Sequence, residues 1–272
     1  VVNRVRGKLF DVQEAMAMAF SPPSIPGVGN VSGLDYRLLY YLGRPPEELA
    51  AVAMVVVAGA NQAPEIATAF TSLRAGKPLI DHALDLAETA GLARRVANLH
   101  YLPDQLAAHL ARRGVKLSLE TEQLLETGGG LRRALPLLGP DPVFTINADA
   151  VWTGPNPFEE LARAWKPETM DALLLLVPRD RATGHTGVGD FHLRADGRLE
   201  RGPGLVYVGA QIIRTDGLGA VEDEVFSLNL MWDRMLAEGR LFGAVHTGGW
   251  CDVGHPGGIG EAEALLAGTT DV

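Results

Sequence analysis

Cysteine is nearly missing from this chain. Cys251 stands alone among 272 residues, which excludes an intrachain disulfide framework and any zinc site built on several thiolates. Long apolar runs are missing too. No stretch approaches the roughly 20 residues that a membrane span requires, and the opening VVNRVRGKLFDVQEAMAMAF lacks a signal peptide's order of basic start, apolar centre and small-residue cleavage site. A cytoplasmic chain with no membrane partner is expected. Positive charge is scarce, with 24 Lys and Arg against 33 Asp and Glu and a formal charge of -9. Because nucleic-acid phosphates must be met by clustered bases, a nonspecific nucleic-acid partner is excluded. Small anions held through metals and backbone amides are not.

Several familiar signatures are also lacking. There is no Walker loop, since Thr71 occupies the place of the first glycine ahead of Gly76 and Lys77. The glycine-rich GVGNVSG at 27–33 follows prolines rather than a strand, so it lacks the context of a dinucleotide fingerprint. The seven histidines are scattered; His185 and His192 share no helical metal face, while His246 and His255 either pack near Asp252 or touch substrate. Cys251 has no nucleophile elbow around it and reads as a small buried thiol.

What is present is an α/β pattern. Strand-like runs at 51–59, 95–102, 115–120, 143–151, 171–179, 189–193 and 205–215 alternate with segments whose apolar residues recur at three and four residue spacing. A helix is expected to open at Pro78 with Ile80, Ala83, Leu84 and Ala87 on one face, and to stop at Gly91. A second repeats that grammar from Pro103. Runs such as MVVVA and ALLLLV suit strands covered on both faces, hence a mainly parallel sheet between helices. Asp196-Gly197 marks a hairpin and an antiparallel excursion late in the chain. Residues 1–50 differ in kind, with helix candidates at 9–20 and 34–43 and no strand; they read as an atypical appended segment ahead of a domain spanning 51–272.

In open α/β sheets ligands sit beyond the carboxyl ends of strands. Asp149, in TINAD, occupies such a place, although Asn147 and Asp149 also suit a turn or a cap for the helix near Pro157. Asp252 stands in GGWCDVGHPGG before the last helix. Two carboxylates from distant strands are the hard oxygen donors that Mg2+ takes alongside phosphates. Trp152 and Trp250 either shelter this site or fill the core.

The order AGKPLIDHAL (75–84), LETGGG (125–130), TINAD (145–149), GVGDF (187–191), FSLN (226–229) and WCDVGHP (250–256) resembles the sugar-1-phosphate nucleotidyltransferases. It is most similar to bacterial N-acetylmuramate-1-phosphate uridylyltransferases and to mannose-1-phosphate guanylyltransferase-like proteins. The resemblance covers roughly residues 51–270. It implies a Rossmann-like nucleotidyltransferase fold, a nucleoside triphosphate and a sugar 1-phosphate as partners, and Mg2+ on Asp149 and Asp252. Ala58, Gly59, Glu120, Glu126, Gly128 and Gly129 would then meet the nucleotide, and Asn147, Gly187 and Asp190 the sugar. Each piece has a plainer reading: LETGGG as a loop into the helix LRRALPLL, GVGD as a strand entry, FSLN as a helix cap.

The sequence departs from that family at one place. After the first strand such proteins carry G-x-G-T-R and then a Lys-Pro pair, which cradle the triphosphate; here Asn61, Gln62 and Glu65 follow Ala58 and Gly59. Lys77-Pro78 matches the family's second Gly-Lys-Pro, which opens a helix, and Arg74 is out of register for the missing lysine. The change to family-like sequence near Ala75 is abrupt, as a frame or gene-start artefact over the earlier residues would make it. Impaired transfer is expected from the chain as written. The alternatives are guanylyl transfer to mannose 1-phosphate, or an inactive homologue that binds nucleotide sugars.

Overall fold

The structure, a computed structural model, describes residues 16–20, 35–39, 77–100, 103–139, 142–254 and 258–268. The chain divides into two units, Val1–Lys77 and Pro78–Val272. In the first, β1 (Met16–Phe20) and β2 (Asp35–Leu39) pair antiparallel, with Met16 opposite Leu39 and Phe20 opposite Asp35. This overturns the expectation of helices and no strand there. Short apolar segments do not distinguish helix from strand by periodicity, and cross-strand pairing decides between them. The expected boundary near Ala50 and the strand at 51–59 lie outside the described residues.

The second unit runs α1 (Leu79–Thr89), β3 (Val96–Leu99), α2 (Pro103–Leu110), β4 (Lys116–Leu119), α3 (Glu126–Ala134), β5 (Val143–Ile146), β6 (Ala150–Trp152), α4 (Pro157–Ala164), β7 (Ala172–Val177), β8 (Ala182–Thr183), β9 (Phe191–Leu193), β10 (Leu199–Arg201), β11 (Val206–Ile213), α5 (Asn229–Ala237), β12 (Leu241–Val245), β13 (Trp250–Asp252) and α6 (Gly258–Ala267). As expected, Pro78 precedes the first turn of α1, and Ala83, Leu84 and Ala87 are buried. Gly91, at φ +73°, takes the left-handed conformation that ends the chain's helical path there.

The central sheet has the order β12-β7-β11-β5. Every residue of β7 is buried, and its alternation feeds two cores. Ala172, Leu174 and Leu176 face Leu131 of α3 and Met231, Trp232 and Met235 of α5. Leu173, Leu175 and Val177 face Leu161 of α4, Trp152 and Trp250. Burial of each such leucine is worth roughly 1.5–3 kcal/mol, so ALLLLV fixes the sheet between two helical layers. β12 runs parallel to β7, while β11 runs against both β7 and β5. Thus β5, β7 and β12 share one direction, and the fold is mixed α/β as expected.

A smaller sheet, β6-β13-β8, pairs β13 antiparallel to β6 and parallel to β8. The expected single strand over 143–151 is therefore two strands in two sheets, broken at Asn147–Asp149. β3 and β4 form a parallel pair, and Leu99 packs with Leu84 and Leu110. The expected hairpin at Asp196-Gly197 joins β9 and β10, where Arg198 N donates to Asp196 Oδ1 at 3.0 Å and Gly197 has φ +86°.

Candidate functional site

Strand pairing brings the two singled-out residues, Asp149 and Asp252, to one end of a strand pair. β5 ends at Ile146, the chain turns through Ala148 and Asp149, and β6 begins at Ala150. Ala150 is the register partner of Asp252, and Val253 N donates to Asp149 O at 2.8 Å. Asp149 and Asp252 thus stand at the same end of the β6/β13 pair. Asp149 is exposed and Asp252 half-buried, with Oδ1 of Asp252 accepting from Gly254 N at 2.9 Å. The cap of α4 is Asn156, whose Oδ1 accepts from Phe158 N at 3.0 Å, so Asp149 does not cap that helix. The pair offers hard carboxylate oxygens on an accessible edge, a donor set that suits Mg2+ completed by phosphate and water. Among the described residues no group of three His, Cys, Asp or Glu gathers to hold a metal on its own.

Asn147 lies two residues before Asp149, exposed, and its backbone N–H donates to Gly209 O at 3.0 Å. Gly209 belongs to β11, where the pairing with β7 shifts register between Tyr207 and Gln211. That irregularity sits at the carboxyl end of β5, beside the carboxylates.

A second cluster forms where α3 begins. The expected loop LETGGG is itself the start of the helix, and Gly128, Gly129 and Gly130 are buried within it. Glycine in a helix interior costs about 1 kcal/mol relative to alanine, so close packing must require it. A Cβ on Gly128 would fall on the Phe226 ring, one on Gly129 on the Glu224 carbonyl, and one on Gly130 2.8 Å from Glu120 Oε1. The amides of Gly128 and Gly129 donate to Phe226 O at 2.9 and 3.1 Å. Arg132 holds the same segment by donating to Val221 O, at 2.5 Å, and Asp223 O, at 2.7 Å. Thr127 Oγ1 accepts from Leu228 N at 2.9 Å.

The two candidate glutamates differ sharply. Glu120 is buried, with Oε1 accepting from Asn98 Nδ2 at 2.8 Å and Oε2 from Leu125 N at 2.9 Å. Glu126 is exposed and, at φ +63°, the one non-glycine in the left-handed region among the described residues. Such strain persists only where surrounding structure enforces it, and it recurs at binding sites.

Gly187 and Asp190 lie in the strand entry before β9. A Cβ on Gly187 would meet His185 Nε2 at 2.6 Å, and Asp190 Oδ2 accepts from Tyr207 N at 2.9 Å, at the edge of the β11 irregularity. In FSLN, Ser227 Oγ accepts from Asn229 N at 3.2 Å, but the N-cap position of α5 is Leu228, which has no side-chain cap bond. Ala58, Gly59 and His255 lie outside the described residues.

Cys251 is fully buried, and burial, followed by the charges of Glu261 and Asp252, pushes its thiol up to about 11. It is no nucleophile at neutral pH. Trp152 and Trp250 are cross-strand partners in the core. Sequence reasoning missed Asn98, Gly209 and the pair formed by fully buried His246 with Glu160. Nδ1 of His246 bonds Glu160 Oε2, and its Nε2 lies 3.1 Å from Thr153 O. A polar residue inside the apolar run RVANLHYL was the one available signal for Asn98.

The chain is similar in sequence and fold to known proteins. An N-acetylmuramate alpha-1-phosphate uridylyltransferase of Caulobacter vibrioides is 40% identical over 208 residues, 71% of this chain and 86% of that protein. A protein of the same description from Neisseria meningitidis serogroup B is 32% identical over 201 residues, 70% of this chain and 86% of its own length. The crystal structure of HddC from Yersinia pseudotuberculosis complexed with GMP-PN superposes with a TM-score of 0.57 at 18% identity, covering 70% of this chain and 86% of that one, which is a likeness of fold. Residues 53–215, the stretch that carries β5, β7, β11 and the first carboxylate, match the MobA-like NTP transferase domain, and the chain belongs to that family.

Proposed function

We propose that this protein transfers a nucleotidyl group from a nucleoside triphosphate to a sugar 1-phosphate, releasing pyrophosphate, with UTP and N-acetylmuramate 1-phosphate as its substrates. The observation that carries the reading is the juxtaposition of Asp149 and Asp252 through the β6/β13 register. Two relatives matched over 86% of their length bear that activity in their descriptions, which supports the choice of base and sugar.

In the reaction a phosphate oxygen of the sugar 1-phosphate forms a bond to the α-phosphorus, and the bond from that phosphorus to pyrophosphate breaks. Asp149 and Asp252 would hold Mg2+, which when bound neutralises phosphate charge. The chain's own part is positioning. Asn147, beside Asp149, orients the sugar side. Glu126 accepts from the N–H of the base, since both oxygens of Glu120 already bind Asn98 and the Leu125 amide. Gly128 and Gly129 let the start of α3 lie against Phe226, which sets Glu126 in place.

A second reading keeps the binding and loses the turnover. It is favoured by the stretch from Ala60 to Arg74, which lacks the Gly-Thr-Arg and Lys-Pro groups. Pyrophosphate release measured with Mg2+, each of UTP, GTP, CTP and dTTP, and a panel of sugar 1-phosphates separates the readings. UTP with N-acetylmuramate 1-phosphate is expected to be the most active pair. Preference for GTP with mannose 1-phosphate would move the substrate assignment, and Mg2+-dependent UTP binding with no release would establish the binding reading.

A further inference from the structure

We propose that Gly209 is a positioning residue for the sugar side of the site, acting through Asn147. The inference rests on the nucleotidyl-transfer reading above, with Asn147 facing the sugar 1-phosphate.

Gly209 has φ +79°, a conformation that side chains rarely adopt. It lies in a bulge of β11: Tyr207 pairs with Leu176 and Gln211 with Leu174, so the three residues between them on β11 face the single residue Leu175. A bulge re-aims what lies beside it, and such irregularities gather next to active sites. Here the neighbour is Asn147. A Cβ on Gly209 would stand 2.7 Å from Asn147 Cγ, 2.8 Å from its Cβ and 2.9 Å from Nδ2. The bare Cα of Gly209 is therefore the wall against which the Asn147 side chain rests.

That wall is fixed on both sides. Before the bulge, Tyr207 N donates to Asp190 Oδ2 at 2.9 Å, the Tyr207 ring packs edge-on at 4.9 Å from Trp232, and its hydroxyl bonds Thr145. After it, buried Gln211 accepts from Trp232 Nε1 at 2.9 Å. Asn147 is exposed at the end of β5, with a free path toward solvent. When a methyl is added at 209, the anchored bulge holds and Asn147 moves, its backbone included, because its Cβ is one of the atoms met. Asp190, read from the sequence as a sugar contact, enters this account as the anchor of the bulge.

Two substitutions separate contact from backbone strain. Asparagine tolerates the left-handed region better than alanine does, but both put a Cβ in the same place. Calorimetric titration of the full-length protein with UTP and with UDP-N-acetylmuramate, in Mg2+, reads the nucleotide and sugar sides apart. Gly209→Ala and Gly209→Asn are both expected to weaken UDP-N-acetylmuramate by about tenfold to a hundredfold, the scale of a 1 Å misplacement, with UTP affinity unchanged. Asn147→Ala is expected to weaken the same ligand, and adding Gly209→Ala to it to weaken binding little further. Thermal midpoints should fall less for Gly209→Asn than for Gly209→Ala.

Wild-type affinity in both Gly209 variants, with binding lost in Asn147→Ala, would overturn the inference and leave the functional reading intact. Loss in Gly209→Ala with full recovery in Gly209→Asn would assign the effect to strain and overturn it too. Unchanged binding in Asn147→Ala would remove the sugar contact on which it rests. Failure of the wild type to bind either ligand would overturn the functional reading itself.

Discussion

Asn98 on β3 and Glu120, the residue that follows β4, meet side chain to side chain, with Nδ2 of Asn98 donating to Glu120 Oε1 at 2.8 Å. The same amide donates to Gly130 O at 2.8 Å, and the other oxygen of Glu120 accepts from Leu125 N. Buried Glu120, bonded to the exposed Asn98 and to the Leu125 amide, thus fixes where α3 starts, and with it the strained Glu126.

Replacing Asn98 by leucine leaves the buried Glu120 carboxylate and the Gly130 carbonyl without their donor. Because Asn98 is exposed and Glu120 keeps its bond from Leu125 N, the expected cost is about 0.5–1.5 kcal/mol. Urea denaturation of Asn98→Leu against the wild type measures it. A midpoint unchanged from wild type would show that the amide is dispensable.

The glycines of α3 give a prediction of opposite sign to helix propensity. Alanine at 129 should gain about 1 kcal/mol as a helix former, yet its methyl would meet the Glu224 carbonyl. Overpacking of this kind costs about 1–3 kcal/mol, so Gly129→Ala is expected to lower the thermal midpoint. A rise would mean that the Glu224–Phe226 segment yields easily.

Cys251 links stability to alkaline pH. Its thiol is raised from an ordinary value of 9.0 to about 11, chiefly by burial. Between those values the unfolded chain releases the proton and the folded chain keeps it, so ionisation favours unfolding. The thiol's contribution is whole below pH 9 and is lost as pH rises toward 11. Stability of the wild type should therefore decline over this window by an amount on the order of 2 kcal/mol more than that of Cys251→Ala. Parallel denaturation curves for the two across the window would contradict it.

His246 and Glu160 form a buried pair behind the Thr247–Gly249 turn that leads into β13. Removing the ring in His246→Ala takes its close partner from the partly buried Glu160, which keeps the bond from Thr247 Oγ1 at 3.4 Å, with an expected cost of about 1–3 kcal/mol. His246→Ala with Glu160→Leu should recover part of that loss, which a double-mutant cycle in guanidinium would show.

Much of the fold was legible because it depends on local pattern. ALLLLV could be a strand buried on both faces, and Pro78 with the spacing of Ala83, Leu84 and Ala87 could open only a helix. β12 was not anticipated, since LFGAV is short and interrupted by Gly243. That glycine is there because a Cβ would stand 2.6 Å from Leu199 Cδ2 and 2.8 Å from Leu176 Cδ1. The helical start at Glu126 was hidden for the same reason, as three glycines argue against a helix until the segment packed on them is known. Asp149 and Asp252 were singled out through their motifs, and the β6/β13 register places them at one end of that pair. Asn98, Gly209 and the pairing of His246 with Glu160 were not singled out, because their partners are chosen by which elements become neighbours, over separations such as the 86 residues between His246 and Glu160.

The pairing of Asp149 with Asp252 is the centre of this account, and turnover tests it most directly. Pyrophosphate release from UTP and N-acetylmuramate 1-phosphate in Mg2+ should be measured for the wild type, Asp149→Ala, Asp252→Ala and the double variant. Each single loss is expected to cut the rate by about a hundredfold to a thousandfold, with the double variant little worse than either, as for residues that act as one unit. Rates within about tenfold of wild type in either single variant, or losses that multiply in the double one, would contradict it.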